Sequence, residues 1–200
     1  MDYSCREIVQ KIDDHLIAHP KTTLKIAAER LGIPGATIEK ALREQEGMSF
    51  QEFLANKRLR EAFAQLSEYS SAVDGQYSVK RARRRVFFPK TTVKYQVHTL
   101  WIRKSKYSDP HPLVDLSSEG LAFLSDEAPK PQKRVSMILK FPGEESEFRL
   151  RGHIAYTLAT GIAGYRYRVG VQFLPFADRR GCNDLKTLDF LLQIEKTYES

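Results

Sequence analysis

The sequence has few of the residues that build cross-linked or metal-bound scaffolds. It contains two cysteines among 200 residues, and these two, Cys5 and Cys182, lie in different halves with no CxxC spacing. This pattern predicts neither a disulfide framework nor a thiolate metal site. Among the five histidines, His15 and His19 have the i, i+4 spacing of a helix face. Because no third ligand follows them nearby, we predict no metal site.

Long hydrophobic runs are also missing. No stretch approaches the roughly 18 to 20 apolar residues that cross a membrane. The first residues, MDYSCREIVQKIDDHL, carry scattered charges where a secretory signal has a continuous apolar core. No Ser/His/Asp order and no paired-carboxylate motif indicates an active site. We therefore expect a cytoplasmic protein that is not an enzyme and has no membrane partner.

Acidic charge is scarce in one part of the chain. Residues 1–70 hold 10 Lys and Arg against 11 Asp and Glu, whereas residues 71–200 hold 22 against 14. Residues 78–94 include seven basic residues and no acidic one, and KRARRR at 80–85 places five cations in six positions. Such a run can face solvent, bind nucleic acid or bind a small phosphorylated ligand. The charge predicts an anionic partner without identifying it.

The spacing of apolar residues changes along the chain. From residue 3 to about 69 it is helical, whereas Val93, Tyr95 and Val97 alternate with polar residues as in a strand. The segment ATGIAG (159–164) joins two further alternating runs as a hairpin turn would, and helical spacing returns after Pro175. Many short strands predict an antiparallel barrel or sandwich. We predict three parts: a helical domain (1–70), a linker (71–79) and a β-domain with a C-terminal helix (80–200).

The helical half contains a helix-turn-helix pattern in LKIAAERLGIPGATIEKAL (24–42). Ala28 is small where two helices would cross, and Gly32 supplies the positive φ of the turn. The chain continues with G-x-S-F-x-x-F-L from Gly47 and R-L-x-x-A from Arg58. Together these residues resemble the DNA-binding region of AraC-type transcription regulators over roughly 15–68. The chain departs from that family in having one helix-turn-helix unit instead of two.

This resemblance implies a DNA-binding surface at the start of the second helix, with Thr37, Lys40 and Arg43 as candidate residues. Direct readout needs side-chain donors near that end of the helix, and Pro34 stands where a capping serine is usual. The net charge of −1 over 1–70 disfavours tight phosphate binding. Two interpretations stay open: a domain that binds DNA, with a homodimer reaching two half-sites, or a helical module for packing or dimerisation.

Two short motifs carry the clearest functional signal in the β half. Arg81 and Arg85 form R-x-x-x-R, and after 29 intervening residues Asp115, Ser117 and Gly120 form D-x-S-x-x-G. GVQF then ends an alternating strand at 170–173. This order and spacing resemble the PilZ family, the bacterial receptor domain for the second messenger cyclic di-GMP. The resemblance covers about 79–175 and implies a six-stranded antiparallel β-barrel with a trailing helix.

The chemistry of these residues agrees with that ligand. The planar guanidinium of arginine can donate two parallel hydrogen bonds to phosphate oxygens or to O6 and N7 of guanine. Asp115 offers an acceptor for the N1–H and N2–H groups, Ser117 a hydroxyl contact, and Gly120 a close backbone approach. A carboxylate beside the basic run suits a guanine nucleotide better than a long polyanion, which Asp115 would repel.

Several neighbouring cations are auxiliary candidates. Arg84 lies inside the arginine motif, and Lys80 precedes it at a position that, by the resemblance, influences whether one or two ligands bind. Arg166 and Arg168 could add a cationic surface near the ligand, but their alternation with tyrosines favours a half-buried strand.

The sequence thus predicts a cyclic di-GMP effector with two domains. The ligand is expected to order the 79–88 arm and to change how the helical domain sits against the barrel. Three outputs stay open: a transcription regulator whose helical domain binds DNA, an adaptor whose helical domain binds a protein instead, and a nucleic-acid binder that uses the basic run itself.

Overall fold

The computed structural model describes residues 3–73, 86–98 and 106–197. The chain divides into two compact units, Met1–Glu61 and Ala62–Ser200, each with its own hydrophobic core. The domain boundary predicted at residue 70 falls inside a helix, Phe50–Val73, whose residues are shared between the two units.

The first unit is helical, as predicted. Its helices are α1 (Cys5–Ala18), α2 (Leu24–Leu31), α3 (Gly35–Glu46) and the first part of α4 (Phe50–Val73). Ser4 begins α1 with a capping box, in which its hydroxyl accepts from the Glu7 N–H and the Glu7 carboxylate accepts from the Ser4 N–H. Ser49 and Glu52 make the same pair of bonds at the start of α4. Hydrogen bonds from the serine N–H and then its hydroxyl lower the pKa of both glutamates.

The α2–α3 connection is short and sharply turned. Gly32 has φ 64°, and its N–H donates to the Ala28 carbonyl oxygen, so glycine meets the positive φ that the sequence predicts there. Pro34 precedes α3 without a side-chain cap. The helical region is confirmed, and its helix-turn-helix character stays a prediction. The fully buried side chains of this core include Ile12, Leu16, Ile38, Leu42 and Phe50.

The second unit is a closed six-stranded antiparallel barrel with strand order β1-β2-β3-β6-β5-β4. This closure confirms the barrel implied by the family resemblance and rules out the sandwich. The strands are β1 (Thr92–Val97), β2 (His111–Ser117), β3 (Gly120–Ser125), β4 (Arg134–Lys140), β5 (Phe148–Ala159) and β6 (Tyr167–Phe173).

The barrel core follows the predicted alternation. Val93 is fully buried and Tyr95 is 4% exposed, while the polar residues between them point away from the core cluster. A short 3-10 turn, Ile162–Gly164, joins β5 to β6 as the hairpin prediction requires. The C-terminal helix α5 (Leu185–Thr197) is also confirmed, and its Phe190 ring stacks on Phe148 with centroids 3.9 Å apart.

The part of α4 around Ala62 and Leu66 packs against residues of the barrel strands. Ala62 and Leu66 are buried, and Gln65 Oε1 accepts from the Ala163 N–H at 2.8 Å. We call the residues that meet there the α4 cluster: Ala62, Leu66, Val114, Ala122, Leu124, Ala163 and Tyr165, with Phe87 and Ile162 against them. Helix α4 extends to Val73, three residues into the predicted 71–79 linker.

The His15 and His19 rings lie near each other, with centroids 4.8 Å apart. Burial, followed by the charges of His19 and Arg30, lowers the pKa of His15. Over the described ranges, no group of three His, Cys, Asp or Glu residues could hold a metal ion. In those same ranges, no helix has the length and apolar character needed to cross a membrane.

Candidate ligand-binding site

The D-x-S-x-x-G motif forms the tight turn between β2 and β3. Ser117 pairs with Gly120 across the turn. The Ser117 hydroxyl donates to the Gly120 carbonyl oxygen and accepts from the Glu119 N–H, both at 3.3 Å. The Ser118 N–H donates to the Glu195 carboxylate on α5. Ser117 is 3% exposed, so its hydroxyl stabilises the turn in this structure.

A β-bulge in β2 sets the position of Asp115. Leu113 pairs with Phe123, but Asp115 pairs with Ala122, so Val114 is an extra residue on its strand. A bulge of this kind changes which way the following side chain points. Asp115 therefore lies opposite a residue of the α4 cluster, and Leu113, before the bulge, belongs to the barrel core.

Arg168 on β6 forms an ion pair with Asp115. Its Nη2 donates to Asp115 Oδ2, with 30% of the Arg168 side chain and 12% of the Asp115 side chain exposed. The alternation of residues 165–173 predicts the strand on which Arg168 lies. It does not predict which residue of β2 Arg168 meets, because that depends on the register across β3 and on the bulge.

Two glycines of this region allow close approach of other groups. A Cβ on Gly120 would lie 2.2 Å from the Val171 carbonyl oxygen, and a Cβ on Gly170 would lie 2.2 Å from the Tyr156 ring. The sequence predicts a close approach at Gly120. In the structure the approaching group is the backbone of β6, and the role of Gly120 toward a ligand stays a prediction.

The chain that follows the arginine motif is anchored to this turn. The Val86 N–H donates to the Leu116 carbonyl oxygen at 2.9 Å, and the Leu116 N–H donates back to the Val86 oxygen at 3.0 Å. Val86 directly follows Arg85, and Leu116 lies between Asp115 and Ser117. The remaining predicted ligand contacts lie outside the described residues: Lys80, Arg81, Arg84 and Arg85.

The candidate DNA-binding residues lie on the exposed face of α3. Two of them have acidic neighbours one turn away. Lys40 Nζ is 3.8 Å from Glu44 Oε1, and Arg43 Nε is 4.0 Å from Glu39 Oε2. Thr37 is exposed on the same helix. Because each cation has a carboxylate beside it, the net positive field that attracts phosphates is reduced.

One cavity in the barrel unit lies at residues that neither motif includes. It has a volume of about 740 Å³. Arg151, Arg179, Arg180 and Lys186 contribute positive charge to its lining, and Asp178 and Asp184 contribute negative charge. Of the predicted site residues that the structure describes, none lines it.

Comparison with known proteins identifies the second half of the chain. A family model described as PilZ domain matches residues 80–188, more than half of the chain, and this range covers the positions of both predicted motifs. The match leaves residues 1–79 outside, so the AraC-type resemblance stays a prediction. The structure of the Bacillus subtilis inhibitor of motility MotI/DgrA is similar at 12% identity and a TM-score of 0.40, over 62% of this chain and 55% of that chain. No curated protein matches the sequence.

Proposed function

The chain belongs to the PilZ domain family, and from this premise we propose that it is a non-catalytic receptor for cyclic di-GMP. The observation that best supports the proposal is the bridge between Val86 and Leu116. It pairs Val86, the residue that directly follows the arginine motif, with Leu116, the residue between Asp115 and Ser117.

Each motif has a distinct role in the proposed complex. Arg81 and Arg85 donate to the phosphates and to guanine O6/N7, with Lys80 and Arg84 as auxiliary contacts. Asp115 accepts from the guanine N1–H and N2–H groups. Charge-assisted hydrogen bonds contribute roughly 1.5–3 kcal/mol each, so two arginines supply much of the roughly −8 kcal/mol of a micromolar affinity.

The α4 cluster offers a route from the ligand to the helical unit. Val114, which precedes Asp115, belongs to the same cluster as Ala62 and Leu66 of α4, and Phe87, which follows Val86, packs against that cluster. A ligand bound beside Val86 and Asp115 would change how Ala62 and Leu66 pack in this cluster. The earlier residues of the same helix belong to the helical unit. We propose that the signal reaches the helical domain along this helix and there controls transcription through DNA.

The ion pairs on α3 favour an alternative output. With Lys40 beside Glu44 and Arg43 beside Glu39, this surface suits a mixed-charge protein interface as well as DNA. The alternative is a cyclic di-GMP-responsive adaptor whose helical domain does not bind DNA. Retention of promoter DNA by the full chain at moderate salt, with a response to cyclic di-GMP, supports the regulator. Absence of retention with and without ligand supports the adaptor.

Asp115→Ala is expected to weaken binding of cyclic di-GMP by about tenfold to a hundredfold, because the guanine donors lose their charged acceptor. Titration calorimetry on the full chain measures the change. Asp109→Ala removes an exposed carboxylate six residues earlier and is the matched control, expected to bind like the wild type. A wild-type chain that does not bind cyclic di-GMP would contradict the proposed function, and equal affinities in all three proteins would remove Asp115 from the site.

A further inference from the structure

Arg168 reaches across a strand to meet Asp115. Its Nη2 donates to Asp115 Oδ2, although β3 lies between β2 and β6 in the barrel. Ala122 is the β3 residue that pairs with Asp115 on one side and with Gly170 on the other. Arg168 itself pairs with Leu124, so its side chain runs diagonally past β3 toward Asp115, on the side where Ala122 has only a methyl group.

The ion pair uses only part of the hydrogen-bonding capacity of Arg168. A guanidinium has five N–H donors in a fixed planar arrangement. Arg168 Nε is buried without a hydrogen-bond partner in the described part of the chain, while 30% of the side chain is exposed. A buried donor without an acceptor is unfavourable. A ligand that brings an acceptor to the exposed part of this side chain would gain a charge-assisted hydrogen bond.

The paired side chains complement one edge of guanine. The Watson–Crick edge of guanine presents the O6 acceptor beside the N1–H and N2–H donors. An arginine N–H beside two carboxylate oxygens presents the opposite order, one donor and then two acceptors, as cytosine does. Adenine has a donor at N6 and an acceptor at N1, so its N1 lone pair would face the carboxylate.

We propose that Arg168 is a specificity-determining residue of the ligand site, which with Asp115 reads the Watson–Crick edge of a guanine and rejects adenine. One hydrogen bond of Arg168 orients the Asp115 carboxylate, and another N–H of the same guanidinium donates to guanine O6. This inference rests on the proposed function, since it assigns base selectivity to the same site.

Competition titrations of the full chain with cyclic di-GMP and cyclic di-AMP test the inference. The wild type is expected to prefer cyclic di-GMP by at least about a hundredfold. Arg168→Gln is expected to lower the affinity for cyclic di-GMP about tenfold to thirtyfold and to change the affinity for cyclic di-AMP by less than about threefold. Arg168→Lys keeps the positive charge but lacks the planar guanidinium. It is therefore also expected to lose most of the preference for cyclic di-GMP over cyclic di-AMP.

The matched control is Arg166→Gln. It removes the same charge two residues earlier, from an exposed side chain that donates to the Asp126 carbonyl oxygen, and is expected to leave both affinities within about twofold. Thermal unfolding reports whether each variant is folded, and Arg168→Lys carries the test if the glutamine variant does not fold. Equal losses for the two dinucleotides, or no loss, would overturn the inference and leave the proposed function standing. A wild-type chain that binds neither dinucleotide would overturn the proposed function itself.

Discussion

The double variant Arg81→Ala/Arg85→Ala is expected to bind cyclic di-GMP at least about a hundredfold more weakly than the wild type. Each arginine is proposed to make charge-assisted hydrogen bonds worth roughly 1.5–3 kcal/mol, and about 3 kcal/mol in total already exceeds a hundredfold in affinity. Titration calorimetry at fixed ionic strength measures the loss, because surface electrostatics depend on salt.

A general effect of charge must be separated from the loss of the motif. Lys130→Ala/Lys133→Ala removes the same two charges from exposed positions of the barrel unit and is expected to change the affinity by less than about twofold. If both double variants lose affinity equally, the arginines act only through net charge. If neither does, the arginine motif is not part of the site.

Gly120→Ala is expected to lower the free energy of unfolding of the barrel unit by about 2–4 kcal/mol. The new Cβ would lie 2.2 Å from the Val171 carbonyl oxygen, 3.3 Å from the Val171 carbonyl carbon and 3.4 Å from Gln172 Cα. All three atoms are backbone, so no side chain can rotate away, and β3 must separate from β6. Urea denaturation followed by circular dichroism measures the change.

Gly161→Ala is the control for the glycine substitution. A Cβ at Gly161 meets no atom within 4 Å, and its φ of −112° is open to alanine. We expect its unfolding midpoint to lie near that of the wild type. Equal stability of Gly120→Ala and Gly161→Ala would contradict the close approach of β3 and β6 at the turn.

Much of the fold follows from local patterns in the sequence. Alternation around Val93 and Tyr95 identifies a half-buried strand, and the family resemblance implies the closed barrel that the strand pairing confirms. The extent and packing of the second half of α4 do not follow from such patterns. The Ser- and Gly-containing stretch from 71 indicates a linker, yet the helix continues to Val73, and the packing of Ala62 and Leu66 on β2 and β3 is a long-range contact that periodicity does not encode.

In the candidate site, too, the sequence predicts the local features but not those that depend on long-range contacts. Motif spacing brings Asp115, Ser117 and Gly120 to one turn, because a tight hairpin follows from their sequence separation. The ion pair with Arg168 depends on a bulge and on the register of three strands, and side-chain alternation gives neither. The hydrogen bond from the Ser117 hydroxyl to the Gly120 carbonyl oxygen likewise depends on backbone geometry that a motif does not specify.

Amide hydrogen exchange of the full chain, with and without cyclic di-GMP, tests the proposed site most directly. The N–H groups of Val86 and Leu116 each donate across the bridge between the two motifs, so their exchange reports its opening. We predict slower exchange at 86–88 and 114–120, by up to about a hundredfold at a ligand concentration of about a hundred times Kd, with little change at 177–186. Protection confined to 177–186, beside the cavity lined by Arg179 and Arg180, or no protection at the bridge, would contradict it.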